Sequence, residues 1–428
     1  LDRPPDFERL LRTMDRATNT FRRLRQRVQV APANISAPMW VDDSDFDLRR
    51  HVRHIALPKP GSMRQLLDLA SLIACDPFDR TRPLWQFVVI DGLRGGKSAF
   101  IQKMHHTIID GEGGMRLSLQ YIDIERDAPE KPAVTLPAEE ELAGAEAEHS
   151  TVANDLLRSM VAGSLRLPLG VVRQIRDLLA DPTGMAQAGN TAADAVRGVI
   201  SQLSDTDKAH SPLWTARSLG RRMEVLRAPF RDTRDAARRL GGTLNTAFLT
   251  AAADAAGRYH DELGQPVETL RASMAISTRT ATSGSNAFSL ARMLVPTAAM
   301  PIAERFAMIQ ASSEAARQSS GGASLDTLAA VATALPTSLI TRLARQQAQT
   351  VDFATSNVRG APVPMYLAGA ELLENYPVGP LAGVAYNLTL LSYNNSLDMG
   401  VNIDTAAVTE PELLTRLLNQ AFRDLLSA

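Results

Sequence analysis

Two adjacent histidines, His105 and His106, begin the stretch of this sequence whose residue types could carry out acid–base chemistry. Asp110 follows four residues after His106, and Gly111 comes directly after it. Because an imidazole titrates near neutral pH, a histidine can both take up and release a proton under physiological conditions. A carboxylate four residues on can fix a turn or orient the ring, and glycine lets the main chain come close. The pattern predicts that a histidine deprotonates an acceptor directly.

Other chemistries fit this sequence less well, although two alternatives stay open. No Gly-x-Ser-x-Gly segment is present, so no nucleophilic serine on a strand-to-helix turn is predicted. A zinc site is one alternative, but no third histidine or suitable cysteine lies near the pair in the sequence. A purely structural histidine pair is the other, because short motifs also arise by chance. We predict that the protein binds no metal and needs no cofactor.

The composition argues against several classes of protein. Lys and Arg number 46 against 47 Asp and Glu, a net charge of -1, so we expect no nucleic-acid partner. Cys75 is the single cysteine, which rules out an internal disulfide and a thiolate metal site and favours the cytoplasm. No run approaches the roughly 18 apolar residues of a membrane-spanning helix. No export signal is visible at the start of the sequence.

The histidine pair follows a predicted strand, Ala99 to Met104, which is preceded by another predicted strand, Trp85 to Ile90. After the pair, Met115, Leu119 and Ile122 fit one face of a helix. The pair therefore lies where a strand enters a glycine-rich turn, a place where side chains commonly face a cleft.

Along the whole chain, the patterns predict an α/β (α+β) fold in two halves. Residues 1–130 form the first, 131–210 an acidic linker with a basic amphipathic segment at 152–180, and 211–428 the second. Helix signals and apolar periodicity predict helices over Asp6–Val28, from Ser62, from Thr243 to Tyr259, over 302–318 and 325–349, and from a capping box at Thr409–Glu412.

The motif His105-His106-x-x-x-Asp110-Gly111 resembles the HHxxxDG signature of the bacterial wax ester synthase/diacylglycerol acyltransferase family, which belongs to the CoA-dependent acyltransferases. Further segments resemble family motifs in the same order along nearly the whole chain. These are Phe46-Asp47-Leu48, His51-Val52-Arg53-His54, Pro83-Leu84-Trp85, Gly241-Gly242-Thr243-Leu244-Asn245, Ser277-x-Arg279 with Asn286, Ser356-Asn357-Val358 and Ser392-Tyr393. The chain departs from the family at Thr246, where members usually have Asp, and after Val358, where Arg359 interrupts their SNVPGP segment.

The resemblance implies two chloramphenicol-acetyltransferase-like domains with an active-site tunnel between them. It implies that His106 is the general base, which deprotonates an alcohol that attacks the thioester of acyl-CoA. His105 would shape the acceptor pocket or orient its neighbour. Asp110 would be a scaffold residue paired with an arginine, for which Arg279 is the positional candidate.

The same resemblance implies supporting roles for other residues. Gly111, Asn245, Arg279 and Asn286 are candidates for supporting the site or stabilising an oxyanion. Pro83, Leu84 and Trp85 would pack beside the site, Trp85 as a packing residue rather than a substrate contact.

The implied partners are long-chain acyl-CoA, as co-substrate, and a lipid alcohol acceptor, either diacylglycerol or a long-chain alcohol. Peripheral contact with the inner membrane or with lipid droplets would follow from such substrates. Two other functions stay open: acyl transfer to another acceptor, as in polyketide-associated or peptide-condensing domains, and a catalytically idle lipid-binding homologue.

Overall fold

The structure, a computed structural model, describes residues 1–30, 38–108, 114, 117–132, 134, 209–277, 288–319 and 350–428. The predicted linker and the basic segment at 152–180 lie outside these residues, as does the predicted helix at 325–349. The predicted boundaries at 130 and 211 therefore stay predictions. Residues 1–132 and the described residues from 209 onward belong to one compact unit.

The first half of the chain interleaves short helices and strands. In chain order they are α1 (Phe7–Thr20), β1 (Gln26–Gln29), β2 (Met39–Asp42), α2 (Leu48–His51), β3 (Val52–Ala56), α3 (Met63–Cys75), β4 (Trp85–Leu93), β5 (Lys97–Met104) and β6 (Ile122–Asp123). β3 lies parallel to β4, β5 is antiparallel to β4, and β1 pairs separately with β2. The helix predicted from Ser62 is present as α3, and the structure shows that the Ser62 side chain caps it in a complete capping box.

The second half is built on a larger sheet. Its elements are β7 (Arg221–Pro229), α4 (Phe230–Arg239), α5 (Leu244–Glu262), β8 (Thr269–Ser277), β9 (Phe288–Pro296), α6 (Ile302–Ser319), β10 (Phe353–Arg359), β11 (Tyr366–Leu367), β12 (Ala370–Glu371), β13 (Tyr386–Tyr393), β14 (Ser396–Asp404) and α7 (Pro411–Ser427). Six strands form one sheet in the order β7-β14-β13-β10-β8-β9, in which β10 runs parallel to both neighbours.

Helix α5 is the central helix of this second half. Most of its residues are buried, many of them alanines, which allow close packing between the helix and its neighbours. A side chain at Gly257 would place its Cβ 2.0 Å from the carbonyl oxygen of Thr297, so only glycine permits this approach. Thr243 caps the helix, since its hydroxyl accepts a hydrogen bond from the Thr246 N–H at 3.3 Å.

The two halves are joined by strand pairing and by ion pairs. β6 of the first half pairs antiparallel with β11 of the second, with Ile122 opposite Leu367. Arg126 reaches the Gly369 carbonyl oxygen and the Glu371 carboxylate, each at 3.0 Å. Arg64 on α3 lies 2.7 Å from Glu224 on β7. Strand β11 of the second half therefore forms a small sheet with β6 of the first half.

Three helix predictions are wrong in detail. The first helix ends at Thr20, since the following residues turn into β1, where Val28 pairs with Trp40. Ile122 lies in a strand rather than on a helix face, and Leu119 is 51% exposed. Glu410, not Thr409, is the N-cap residue of α7, and its side chain makes no capping hydrogen bond.

Candidate active site

The histidine pair directly follows the last residue of β5. Met104 pairs with Trp85 across the sheet, and the His105 N–H donates to the Leu84 carbonyl oxygen at 2.9 Å. The Ile108 N–H then donates to the His105 carbonyl oxygen, also at 2.9 Å, which closes a turn. The main chain of His105 is thus held on both sides. Asp110 and Gly111 lie outside the described residues.

The His105 ring has a defined neutral form. Its Nδ1 accepts a hydrogen bond from the Thr107 N–H at 3.2 Å and lies 2.8 Å from the Thr107 hydroxyl. Since an amide can only donate, Nδ1 carries no hydrogen, and the proton of the neutral ring is on Nε2. Partial burial, followed by the positive charge of Arg80 and by His106, lowers the pKa of His105. The ring is therefore uncharged near neutral pH.

His106 is exposed to solvent, as is His105. An exposed imidazole at a turn can be reached by a substrate hydroxyl, which a general base requires. The turn that begins at His105 sets the main chain at His106, while Ile108, two residues later, is buried in the core. The main-chain hydrogen bonds of His105 and the burial of Ile108 thus anchor the pair, while both imidazole rings stay accessible to solvent.

Buried packing beneath the pair comes from Pro83, Leu84 and Trp85. Trp85 is 1% exposed, and its indole N–H donates to the Leu24 carbonyl oxygen at 2.8 Å. Its ring contacts Phe87 edge-on, with centroids 5.0 Å apart. These contacts satisfy the polar group of Trp85 and surround its ring with protein, the arrangement of a packing residue.

His51 is a site-supporting residue to which the sequence analysis gives no role. The ring is 4% exposed and stacks on Trp85 at 4.6 Å and on Phe46 at 5.3 Å. Its Nδ1–H donates to the Trp85 carbonyl oxygen at 2.8 Å. Burial lowers the pKa of His51, so the ring is neutral. The signal was present in the sequence, since Phe46 and His51 both belong to motifs quoted for the family resemblance.

Asn245 meets a second motif residue, Asn357. Asn245 lies in the first turn of α5, and its side-chain oxygen accepts a hydrogen bond from the Asn357 amide near the end of β10. The contact joins residues 112 positions apart. It leaves the NH₂ group of Asn245 to donate elsewhere.

Thr246 follows Asn245 at the position where the family usually has Asp. Thr246 is 2% exposed, and its hydroxyl lies 3.0 Å from the Thr243 hydroxyl and donates to the side-chain oxygen of Gln310 on α6. The hydroxyl therefore joins the start of α5 to α6 without adding a charge.

The two parts of the candidate site border one hydrophobic core. Ile108, two residues after His106, belongs to the same buried cluster as Trp85, and Val358, next to Asn357, packs against that cluster. The histidine turn and the Ser356-Asn357-Val358 segment therefore border the same buried cluster. Arg279 and Asn286 lie outside the described residues, so their predicted roles stay predictions.

Two further properties concern metals and membranes. In the ranges that the structure describes, no group of three or more His, Cys, Asp or Glu side chains is arranged to hold a metal ion. No helix among the described residues has the length and apolarity needed to cross a membrane.

Comparison with known families covers nearly the whole chain. Residues 2–248 match the model of the wax ester synthase/diacylglycerol acyltransferase catalytic domain, and residues 284–426 match that of its C-terminal domain. A Mycobacterium tuberculosis protein named for diacylglycerol O-acyltransferase activity is 31% identical over 100% of this chain and 86% of its own length. A second protein of that organism, Tgs1, named for the same activity, is 27% identical over 97% of this chain and 87% of its own length.

Solved structures show the same fold. The wax ester synthase/diacylglycerol acyltransferase of Marinobacter aquaeolei superposes with a TM-score of 0.62 at 23% identity, covering 94% of this chain and 85% of that one. The first condensation domain of the calcium-dependent antibiotic synthetase gives 0.56 at 14% identity, over 100% and 89%. The predicted α/β fold of two acetyltransferase-like domains is thereby confirmed.

Proposed function

Since this chain belongs to the wax ester synthase/diacylglycerol acyltransferase family and is an acyltransferase, we propose that it transfers a long-chain acyl group from acyl-CoA to a lipid hydroxyl. The acceptor is diacylglycerol or a long-chain alcohol, and the product is a triacylglycerol or a wax ester. The observation that carries the proposal is the exposed His106, directly after a His105 whose main chain is fixed to Leu84.

In the proposed reaction, the His106 imidazole takes the proton of the acceptor hydroxyl as the oxygen attacks the thioester carbonyl carbon. The C–O bond forms, the C–S bond breaks, and the proton passes from His106 to the departing thiolate, giving the ester and free CoA. Asn245 is suited to donate to the oxyanion, because Asn357 holds its oxygen and leaves its NH₂ group available. His105, neutral and fixed by Thr107, borders the acceptor pocket.

The remaining predicted roles belong to the same proposal. Asp110 pairs with Arg279 to hold the turn, and Gly111 and Asn286 support the site. No metal ion or redox cofactor takes part in the proposed steps, in which acyl-CoA is a co-substrate. An active-site tunnel between the two domains would bring both substrates to His106.

Release of free CoA from palmitoyl-CoA tests the proposal, with hexadecanol, dioleoylglycerol or no acceptor. We expect acceptor-dependent release, and the faster acceptor identifies the preferred product class. His106→Ala is expected to lower the rate by about 10²- to 10⁴-fold, the usual contribution of a general base. His210→Ala, which changes an exposed histidine of the second half, serves as the matched control.

The outcomes separate the parts of the proposal. A folded His106→Ala protein with a near-wild-type rate would remove the base assignment but keep the reaction. No release with any acceptor, from wild-type protein that binds palmitoyl-CoA, would overturn the acceptor class and favour an idle lipid binder or a different acceptor.

We also propose that the protein works on the cytoplasmic side of the inner membrane or on lipid droplets, by peripheral contact. Both acceptor types partition into lipid, so the enzyme must meet them at an interface. Co-flotation with vesicles containing dioleoylglycerol tests this, and protein that stays at the bottom of the gradient while still esterifying the acceptor would contradict it.

A further inference from the structure

A short turn beside His105 presents one arginine to solvent. The Arg82 N–H donates to the Asp79 carbonyl oxygen at 3.3 Å, which closes a turn over residues 79–82. The Asp79 carboxylate accepts from the Thr81 N–H at 2.9 Å and from the Thr81 hydroxyl at 2.6 Å. These bonds fix the main chain of the turn, and Arg80, its second residue, is exposed.

The turn lies next to the histidine pair. Phe78, two residues before Arg80, meets the His105 ring edge-on with centroids 6.1 Å apart. The Lys103 ammonium lies 4.5 Å from the centre of the Phe78 ring. Arg80 is close enough that its positive charge contributes to lowering the pKa of His105, after the larger effect of burial. The turn that carries Arg80 thus lies beside His105, which Phe78 contacts directly.

The two other cationic side chains near this turn, Arg82 and Lys103, each have a partner within the protein. Arg82 pairs with Asp79 at 3.4 Å, and the Lys103 ammonium donates to the Asp76 carbonyl oxygen. The Asp76 charge also acts on Lys103. Arg80, in contrast, makes no hydrogen bond, ion pair or ring contact within the described part of the chain. Among the described residues, Arg80 is therefore a positive charge near His105 that no side chain pairs with directly.

We propose that Arg80 binds a phosphate group of the CoA part of the donor at the entrance to the active site. A guanidinium group matches the geometry of a phosphate and can form two parallel hydrogen bonds with it. The pantetheine arm separates the thioester from the phosphates, so they must lie outside the catalytic centre, on a surface such as this turn. The inference rests on the proposed use of acyl-CoA and adds a donor-binding residue to it.

Three donors of the same acyl chain test the assignment: palmitoyl-CoA, palmitoyl-dephospho-CoA and palmitoyl-pantetheine. Arg80→Gln is expected to raise KM for palmitoyl-CoA about tenfold, equivalent to about 1.4 kcal/mol, with little change in kcat. Palmitoyl-pantetheine has no phosphate, so wild type and variant should use it equally. The matched control is Arg231→Gln, since Arg231 is another exposed arginine with no ion pair in the described residues.

Palmitoyl-dephospho-CoA, which lacks only the 3′-phosphate, shows which phosphate Arg80 binds. If Arg80 binds the diphosphate, the KM penalty persists with palmitoyl-dephospho-CoA, and if it binds the 3′-phosphate, the penalty disappears there. An equal loss on palmitoyl-pantetheine, or no effect on any donor, would overturn the inference. If wild-type protein transfers no acyl group at all, the proposed function fails. Calorimetric binding of CoA to wild type and Arg80→Gln then decides the Arg80 assignment independently, and equal Kd values would refute it.

Discussion

The Nδ1–H of His51 donates a 2.8 Å hydrogen bond to the carbonyl oxygen of Trp85, and the two rings stack 4.6 Å apart. The preceding carbonyl oxygen, that of Leu84, accepts the hydrogen bond from the His105 main chain. At the start of β4, the Trp85 carbonyl oxygen therefore accepts a hydrogen bond from buried His51, and the neighbouring Leu84 carbonyl oxygen accepts one from the histidine pair of the candidate site. His51 is a positioning residue that acts through Trp85.

Replacing His51 by Phe keeps an aromatic ring for stacking but removes the donor to Trp85. We expect the free energy of unfolding to fall by about 1–3 kcal/mol, because a buried carbonyl oxygen loses its partner. The kcat for CoA release should also fall, since the strand end that anchors His105 loses a contact. Urea unfolding and the transfer assay measure the two effects. His210→Phe, at an exposed position, should change stability by no more than about 0.5 kcal/mol. An unchanged kcat in His51→Phe would limit its role to stability.

Stability should depend on pH through the same residue. Burial lowers the pKa of His51 below its ordinary value of 6.5, so the unfolded chain takes up a proton more readily than the folded one. The stability due to neutral His51 is complete above pH 6.5 and is lost as the pH falls from 6.5 toward the folded-state pKa. The difference in unfolding free energy between wild type and His51→Phe should therefore narrow below pH 6.5. A difference that is constant from about pH 7.5 to 5.5 would contradict the assignment.

Local signals predicted much of the fold, and the errors have a common physical cause. Thr243 caps its helix as the sequence indicates, because a capping hydrogen bond depends on residues three positions apart, and the helix predicted from Ser62 also forms. Ile122 fits a helix face in the sequence, but it is a strand residue because it pairs with Leu367 from the other half of the chain. No local pattern encodes that pairing.

In the candidate site too, local sequence predicts some features, while others depend on contacts between distant parts of the chain. The histidine pair at the end of a strand follows from local sequence, and the motif resemblance indicates Trp85 and Asn245. The partnership of Asn245 with Asn357 depends on how α5 packs against the sheet that contains β10, which spacing along the chain does not reveal. The sequence does not reveal the role of His51, because a buried histidine and a catalytic one have the same residue type, and its stacking between Phe46 and Trp85 distinguishes them.

A double-mutant cycle tests whether Asn357 acts through Asn245. Loss of an oxyanion donor costs on the order of a hundredfold in rate, which we expect for Asn245→Ala. Asn357→Ala leaves that donor in place but releases its orientation, so a smaller loss of about tenfold is expected. The double variant should match Asn245→Ala alone, because an orienting contact has no effect once its target is absent. Rates of CoA release measure the cycle, and losses that simply multiply would show that the two amides act independently.

The charge of Arg80 should be visible in the titration of His105. Burial is the larger cause of the lowered pKa of His105, and the positive charge of Arg80 adds to it. Arg80→Gln removes that charge, so the pKa of His105 should rise toward 6.5, while Arg231→Gln should leave it unchanged. NMR titration of the histidine ring protons, with the His105 signal assigned from His105→Gln, measures the shift. Addition of CoA to wild type should raise the same pKa, because a bound phosphate offsets the guanidinium charge, and should have little effect in Arg80→Gln. An equal response to CoA in both proteins would place the phosphates away from Arg80.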